Sequence, residues 1–313
     1  MKVSVISVGD ANVDLIAPIK TLPDKGEEVL IDKISKFPGG SAANLSVALA
    51  RLGVSSGLIG RIGKDSFGQF LIEQLRKENV DISQLQVDER VGTALLFIVV
   101  TKNGDRTMYT FRGANVHLSS KQVNMDYVRN ADILHISGYT LISNPQRKTT
   151  LKILNVAKKA GVFVSFDVGV LAPIEAANYI RSILRSIDLL FLNEIEAVSL
   201  MRIKNPEASA ESILDLGPGI VALKLRERGC CVLTKEEKLH SPAFEVDVVD
   251  TTGAGDAFDA GFLFGIKEGW GLKKTALFAN AVGALSVTKF GAWSALPTRR
   301  EAEGFIRERG AEI

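Results

Sequence analysis

The chain has 313 residues, of which 46% are hydrophobic and 24% charged, enough apolar material for a large core in one α/β domain or two smaller ones. Its 38 basic and 36 acidic residues are interspersed and leave a net charge of only +2, which gives no nucleic-acid-binding surface. The only cysteines, Cys230 and Cys231, are adjacent, which excludes a disulfide scaffold and favours a reducing cytoplasm; three histidines without paired Cys/His spacing argue against structural zinc, and no apolar run is long enough to span a membrane.

Val3 to Val8 is a short apolar run ending at Gly9-Asp10 and reads as a buried first strand. Asp10, Asn12 and Asp14 interrupt the apolar character that a signal peptide needs. Leu15 to Ile19 and Glu27 to Phe37 read as extended segments joined by the turn-like Leu22-Pro23-Asp24-Lys25-Gly26. Such a pair before the first helix cannot enter the main sheet without breaking short connectivity, so it is expected to form a flap over the site. Asp14 follows the first strand's carboxyl end, where ligands sit in open parallel sheets, although a turn carboxylate is the plainer reading.

Gly39-Gly40 precedes a helix from Ala42 to Leu52 that Gly53 closes. The glycines allow a tight turn with exposed N–H groups, and Asn44 offers both a donor and an acceptor, although a helix-start Asn is commonly a local cap. Leu58 to Ile62 reads as a strand and Asp65 to Lys77 as an amphipathic helix with a solvated charged face. Val91 to Val100, the turn Lys102-Asn103-Gly104-Asp105 and Arg106 to Phe111 make the clearest hairpin of the chain, expected to complete the flap. Arg112 sits at its returning end, a surface arginine unless the hairpin closes on a ligand.

The centre alternates strands and helices: Ile133 to Ser137, Arg147 to Lys159, Val162 to Asp167, Ile174 to Ser186, Asp188 to Leu192 and a helix from Glu194. That alternation predicts parallel strands joined by crossover helices. Asn193 and Glu196, at i and i+3, face one side, and they also suit an Asn N-cap with an N3 glutamate. Gly219 to Leu225 and Cys230 to Thr234 read as strands around Arg226-Glu227-Arg228-Gly229.

Asp250-Thr251-Thr252-Gly253-Ala254-Gly255-Asp256-Ala257-Phe258-Asp259-Ala260-Gly261 follows an alternating run, Phe244 to Val249, read as a strand, and opens an apolar helix from Ala257 to Lys267. N–H groups at a helix N-terminus have no intrahelical partner and carry the positive end of the dipole, so this turn can hold a phosphate or a transferring phosphoryl group. Asp256 would repel such an anion. Beside a phosphate site it makes sense as the acceptor of a proton from an attacking hydroxyl. Leu272 to Lys289 reads as a long apolar helix whose small residues permit either close helix packing or the approach of a flat ring. The tail from Arg299 reads as a charged surface helix.

The twelve residues from Asp250 resemble the C-terminal signature of the ribokinase-like (PfkB) carbohydrate kinases, Asp-Thr-x-Gly-Ala-Gly-Asp-x-Phe-x-x-Gly, at every fixed position. Gly39-Gly40-Ser41-Ala42-Ala43-Asn44 is similar to the family's N-terminal signature, and the resemblance covers essentially the whole chain. It implies a doubly wound, mostly parallel sheet flanked by helices in one domain, 1–313, with a small β-sheet lid formed by about 12–37 and 90–112 that also dimerises. It further implies ATP-dependent phosphorylation of a hydroxymethyl group on a sugar or nucleoside.

By the same resemblance, Asp256 is the base, and the amides of Gly253, Ala254 and Gly255 stabilise the phosphoryl group. Asp14, Gly39, Gly40 and Asn44 hold the substrate, with Arg112 approaching it. Asn193, Lys224, Gly229, Thr252 and Asn280 belong to the nucleotide site, Glu196 acts on Mg²⁺ through water, and Asp250 is the candidate for a monovalent cation. Phe166-Asp167-Val168-Gly169-Val170-Leu171 lacks the Asn and Arg that many fructose and 2-keto-3-deoxygluconate kinases carry after the central strand. Arg226 stands where the family has the first glycine of its nucleotide loop. Ala295 stands where a serine is frequent, which leaves K⁺ dependence open. The resemblance implies a kinase for a primary hydroxyl of a small sugar, ribose-like, fructose-like or a sugar acid; a nucleoside kinase of the same fold is the alternative, and a non-catalytic sensor ranks below it because Asp256 is intact.

Overall fold

The computed structural model describes residues 2–102 and 106–312. The strands are β1 (Val5–Val8), β2 (Asn12–Pro18), β3 (Ser35–Gly39), β4 (Ser56–Gly63), β5 (Leu85–Asp88), β6 (Ala94–Val100), β7 (Arg106–Phe111), β8 (Ile133–Ser137), β9 (Phe163–Asp167), β10 (Leu189–Asn193), β11 (Ile220–Lys224), β12 (Cys230–Leu233) and β13 (Lys238–Ser241). The helices are α1 (Ser41–Arg51), α2 (Ser66–Lys77), α3 (Met125–Arg129), α4 (Gln146–Lys159), α5 (Ala172–Glu175), α6 (Ala177–Ile183), α7 (Glu194–Met201), α8 (Pro206–Leu214), α9 (Ala254–Lys267), α10 (Leu272–Ser286) and α11 (Arg299–Glu308).

A nine-stranded sheet runs β13-β12-β11-β10-β9-β8-β1-β4-β5. It is parallel from β11 to β5 and antiparallel at β12 and β13. Its central strands are buried on both faces, as parallel sheets require. One face carries a core that includes Leu45 and Leu49 of α1, Leu71 of α2, Phe258 and Phe262 of α9, Phe278 of α10 and Ile306 of α11. The opposite core takes Val128, Ile153, Ile180, Ala197 and Ile213 from α3, α4, α6, α7 and α8. Cys230 and Cys231 divide between the two cores, as alternation along a strand demands.

The chain leaves β1 for β4 on one side and later returns to β8 on the other, so the winding reverses at β1. The crevice beyond the carboxyl ends of β1 and β8 to β11 is where such sheets bind ligands. A second sheet, ordered β3-β2-β6-β7, stands apart from the first. Its β7 is an edge strand exposing Met108, Tyr109 and Phe111.

Several boundaries differ from those read in the sequence. Glu27 to Ile34 is not a strand: β2 ends at Pro18, Ile16 pairs with Ser35, and nothing earlier in β3 has a partner. Phe244 to Val249 is likewise unpaired, because β12 begins at Cys230, which already faces Ser241, the last residue of β13. Its alternation arises instead from Phe244 packing on Phe305 (ring centroids 5.2 Å apart) while Val248 stays exposed. The helix expected over Ile174 to Ser186 breaks at Ala176 (φ −138°), which keeps Ala172, Ala176, Ile180 and Ile183 in one core. The hairpin strands β6 and β7 pair as expected; Asn103, Gly104 and Asp105 of its turn lie outside the described residues.

Gly261 and Gly265 set how closely α9 and α10 approach. A Cβ on Gly261 would lie 2.9 Å from the Ala279 Cα, and one on Gly265 2.6 Å from the Thr275 Oγ1. On its other side α9 meets β10 through Phe191, edge-on to Phe258 and Phe262 at 6.3 and 5.6 Å. Held by both contacts, the first turn of α9 is fixed over the crevice.

Candidate active site

Gly253 adopts φ +78° and caps α9, which starts at Ala254, three residues before the predicted position; a Cβ on Gly253 would lie 2.9 Å from the Ala292 Cβ. The Ala254 amide donates to the Thr251 carbonyl at 3.3 Å. Among the described residues, no main-chain hydrogen bond takes the amides of Gly253, Gly255 or Asp256. These are the donors an anion would meet.

Asp256 Oδ2 accepts 2.7 Å from Asn44 Nδ2, and Asn44 Oδ1 accepts 2.7 Å from Trp293 Nε1. Asn44, expected to touch substrate, thus orients the carboxylate and keeps one amide N–H over. No sequence signal joins Trp293 to Asn44, 249 positions away. Burial raises Asp256 to about 7, against the pull of the Asn44 hydrogen bond, with Asp167 adding repulsion and Lys224 opposing it. No ion pair holds Asp256 among the described residues.

The Gly39-Gly40 turn is built against β2 and the segment that leads into it from β1. A Cβ on Gly39 would fall 2.5 Å from Asp14 Oδ2, and one on Gly40 (φ +101°) 2.4 Å from the Asp10 carbonyl. Asn12 Nδ2 donates 2.6 Å to Asp14 Oδ1. Burial, then repulsion from Asp250 and Asp256, lifts Asp14 to about 7 despite that bond. Arg112 closes on Asp10 with Nη2 at 3.0 and 2.8 Å from the two oxygens and Nε at 3.2 Å, and Nη2 also donates to Gln146 Oε1 (2.9 Å). Gln146 Nε2 donates 2.8 Å to Asp10 Oδ1. Asp10 read only as a residue that breaks an apolar run; its pairing with Arg112 needs the chain leaving β7 to come back to the segment just after β1.

Lys224 lies beneath the turn, 3.4 Å from where a Cβ on Gly255 would stand. Its Nζ donates to Asp167 (2.8 Å) and Asp259 (3.0 Å). Burial opposes its charge, yet Asp167, Asp259 and Glu196 together hold its pKa above the usual lysine value. Placed for the nucleotide by the sequence, Lys224 is a buried cation under the anion hole. Asp259 went unnoticed, although a carboxylate one turn after Asp256 in an apolar helix is a legible sign of a buried partner. Asn193 and Glu196 form a full capping box, and Asn193 Nδ2 donates 2.7 Å to Glu196 Oε1. Burial, then Asp167, raises the Glu196 carboxyl against Lys224.

Asp250 Oδ1 accepts from Thr252 N (3.0 Å), Thr252 Oγ1 (2.7 Å) and Arg106 Nη1 (3.1 Å), and Oδ2 from Gly291 N (2.9 Å). Burial works against this carboxylate's charge, but Gly291, Thr252 and Arg106 hold its pKa below the ordinary value. Three donors thus meet Oδ1 and one meets Oδ2, and the Thr252 hydroxyl is bonded to the same carboxylate. Arg106 also donates to Thr251 Oγ1 (2.5 Å) and Thr252 Oγ1 (3.1 Å), binding β7 to the motif.

Asn280 spends Nδ2 on Ser241 and Pro242, all at 3.0 Å. Gly229 (φ +86°) packs where a Cβ would lie 2.1 Å from the Ser241 carbonyl. Both residues therefore tie α10 and the loop after β11 to the end of β13. Arg226 adopts φ +54°, so the loop keeps a left-handed turn without glycine. Among the described residues no three His, Cys, Asp or Glu side chains gather to hold a metal, and no helix is long and apolar enough to cross a membrane.

Residues 2–299 match the pfkB family carbohydrate kinase profile. Fructokinase-2 of Oryza sativa subsp. japonica is 33% identical over 96% of this chain and 93% of its own length. The ribokinase of Arabidopsis thaliana, solved with ribose and ATP, superposes with a TM-score of 0.86 at 26% identity, covering 98% of this chain and 99% of that one. A nucleoside kinase of Methanocaldococcus jannaschii gives a TM-score of 0.84 at 26% identity, covering 98% and 99%.

Proposed function

Because the chain belongs to the pfkB family of carbohydrate kinases, we propose that it transfers the terminal phosphoryl group of ATP to a primary hydroxyl of a small sugar in the crevice between Gly40 and Gly253. One observation carries this reading: Asp256 stands beside the uncommitted amides of α9 and is bonded to Asn44, four residues past Gly40. The acceptor oxygen forms a bond to phosphorus, the bond from phosphorus to the ADP oxygen breaks, and the hydroxyl proton passes to Asp256. Amides of Gly253, Gly255 and Asp256, backed by Lys224, hold the charge that develops on the phosphoryl oxygens. Mg²⁺ arriving with ATP would neutralise phosphate charge. With no direct ligand cluster among the described residues, it fits a water shell organised by Glu196 and Asn193.

The small sheet, about 12–37 and 90–112, serves as lid of a single unit, and the exposed edge of β7 as a surface for a homodimer. Neither a nucleic acid nor a membrane is a partner, and unpaired Cys230 and Cys231 are in keeping with a reducing cytoplasm. The likeness to a nucleoside kinase keeps nucleosides as the second acceptor class.

ATP consumption with ribose, fructose, adenosine, cytidine and guanosine tests the reading. Turnover with at least one is expected, and Asp256→Asn should fold, bind ATP and lose about 10²–10⁴-fold in kcat. Near-normal turnover in that variant refutes the base; inert wild type with every acceptor refutes the kinase and favours a sensor.

A further inference from the structure

We infer that the acceptor is an uncharged polyhydroxy compound, and that Asp10 is the residue that excludes sugar acids and sugar phosphates by cancelling Arg112. This rests on the kinase reading and narrows its substrate class.

Arg112 is the cation set beside the Gly39-Gly40 turn, because its partner Asp10 contacts Gly40 through the main chain. Left alone, a guanidinium there would bind a carboxylate or phosphate bidentately. Asp10 already occupies that fork from the segment between β1 and β2, and Gln146 bridges the pair from α4. The two side chains are 15% and 12% exposed, so water screens the pairing weakly and an incoming anion would have to displace it. What Arg112 retains is Nη1, buried and without a hydrogen-bond partner among the described residues.

The other cations of the site are spent in the same manner, Lys224 on Asp167 and Asp259 and Arg106 on Asp250. Carboxylates remain in excess. Asp14 and Asp256 repel each other across the acceptor position, and an acid function on the substrate would bring a third negative group into a partly desolvated pocket. The phosphoryl group escapes this penalty because it meets the amides at the α9 terminus.

The test compares ribose with ribonate and fructose with 2-keto-3-deoxygluconate, by ATP consumption and by calorimetric binding, in wild type and Asp10→Asn. A neutral acceptor should exceed its acid by at least about 100-fold in kcat/KM, the scale on which a polar mismatch is rejected. Asp10→Asn, shown folded by circular dichroism, should gain at least about tenfold toward the acids as Arg112 recovers an unpaired charge. Acids within tenfold of neutral sugars in the wild type overturn the inference and leave the kinase intact, as does a folded variant with unchanged discrimination. If Asp10→Asn fails to fold, the wild-type comparison decides. Should no acceptor be consumed, the kinase reading falls, and binding judges the inference separately: neutral sugar bound and acid rejected supports it, acid bound more tightly overturns it.

Discussion

Asp256 carries opposite pH consequences for rate and for stability. As the base it must be ionised, so kcat/KM should fall about tenfold per unit below about pH 7, where the half-buried carboxyl takes up its proton. For folding the sign is reversed: the carboxyl titrates near 7 when folded against 3.8 when unfolded, so between those values the folded state holds the proton more tightly. That contribution is full below about 4 and is lost as pH rises through about 7. Asp256→Asn should therefore be more stable than wild type at pH 8, by about 1–2 kcal/mol after discounting for its partial exposure, with the advantage shrinking toward pH 4. Urea melts at both pH values check this, and a variant no more stable at pH 8 sinks it.

Among the elements, the loop after β11 shows how one fold accommodates an unexpected residue. A non-glycine residue in the left-handed region costs about 1–2 kcal/mol, but Arg226 is exposed and nothing crowds its side chain. Arg226→Gly relieves that strain and loosens the unfolded chain by a similar amount, so its stability should change by less than about 1 kcal/mol. Gly229→Ala is the contrasting case, with φ +86° and the Ser241 carbonyl 2.1 Å from the new methyl. It should cost at least about 2 kcal/mol. Thermal melts that rank the two the other way would show that the loop does not hold its shape as described. The arginine was legible as an anomaly in the sequence, whereas the reason it is tolerated lies in its backbone angle.

At the scale of the whole molecule, Arg106 couples the small sheet to the catalytic loop. Its guanidinium joins β7 to Asp250, Thr251 and Thr252, 144 to 146 residues away. Arg106→Ala removes the counter-ion of the buried Asp250, at about 1–3 kcal/mol, and with it a tie that holds the lid to the loop. Its kcat/KM should drop about 10–100-fold, with faster amide exchange along β7. Unchanged exchange and unchanged kinetics would mean that the contact does not couple the two sheets.

Local pattern alone determined the alternation of strands and helices, the crossover arrangement, the glycine turns at Gly39-Gly40 and Gly253, and the carboxylate at the start of α9. Each depends on hydrophobic period or on backbone freedom within a dozen residues, and those are written directly in the order of the amino acids. Tertiary structure decided that Asn44 orients Asp256 from a hydrogen bond to Trp293, that Lys224 is an interior cation between Asp167 and Asp259, and that Asp10 neutralises Arg112. These pairings join side chains 35 to 249 positions apart, and the strength of a charge or hydrogen bond depends on distance and on exclusion of water, both of which exist only after the sheet has been assembled.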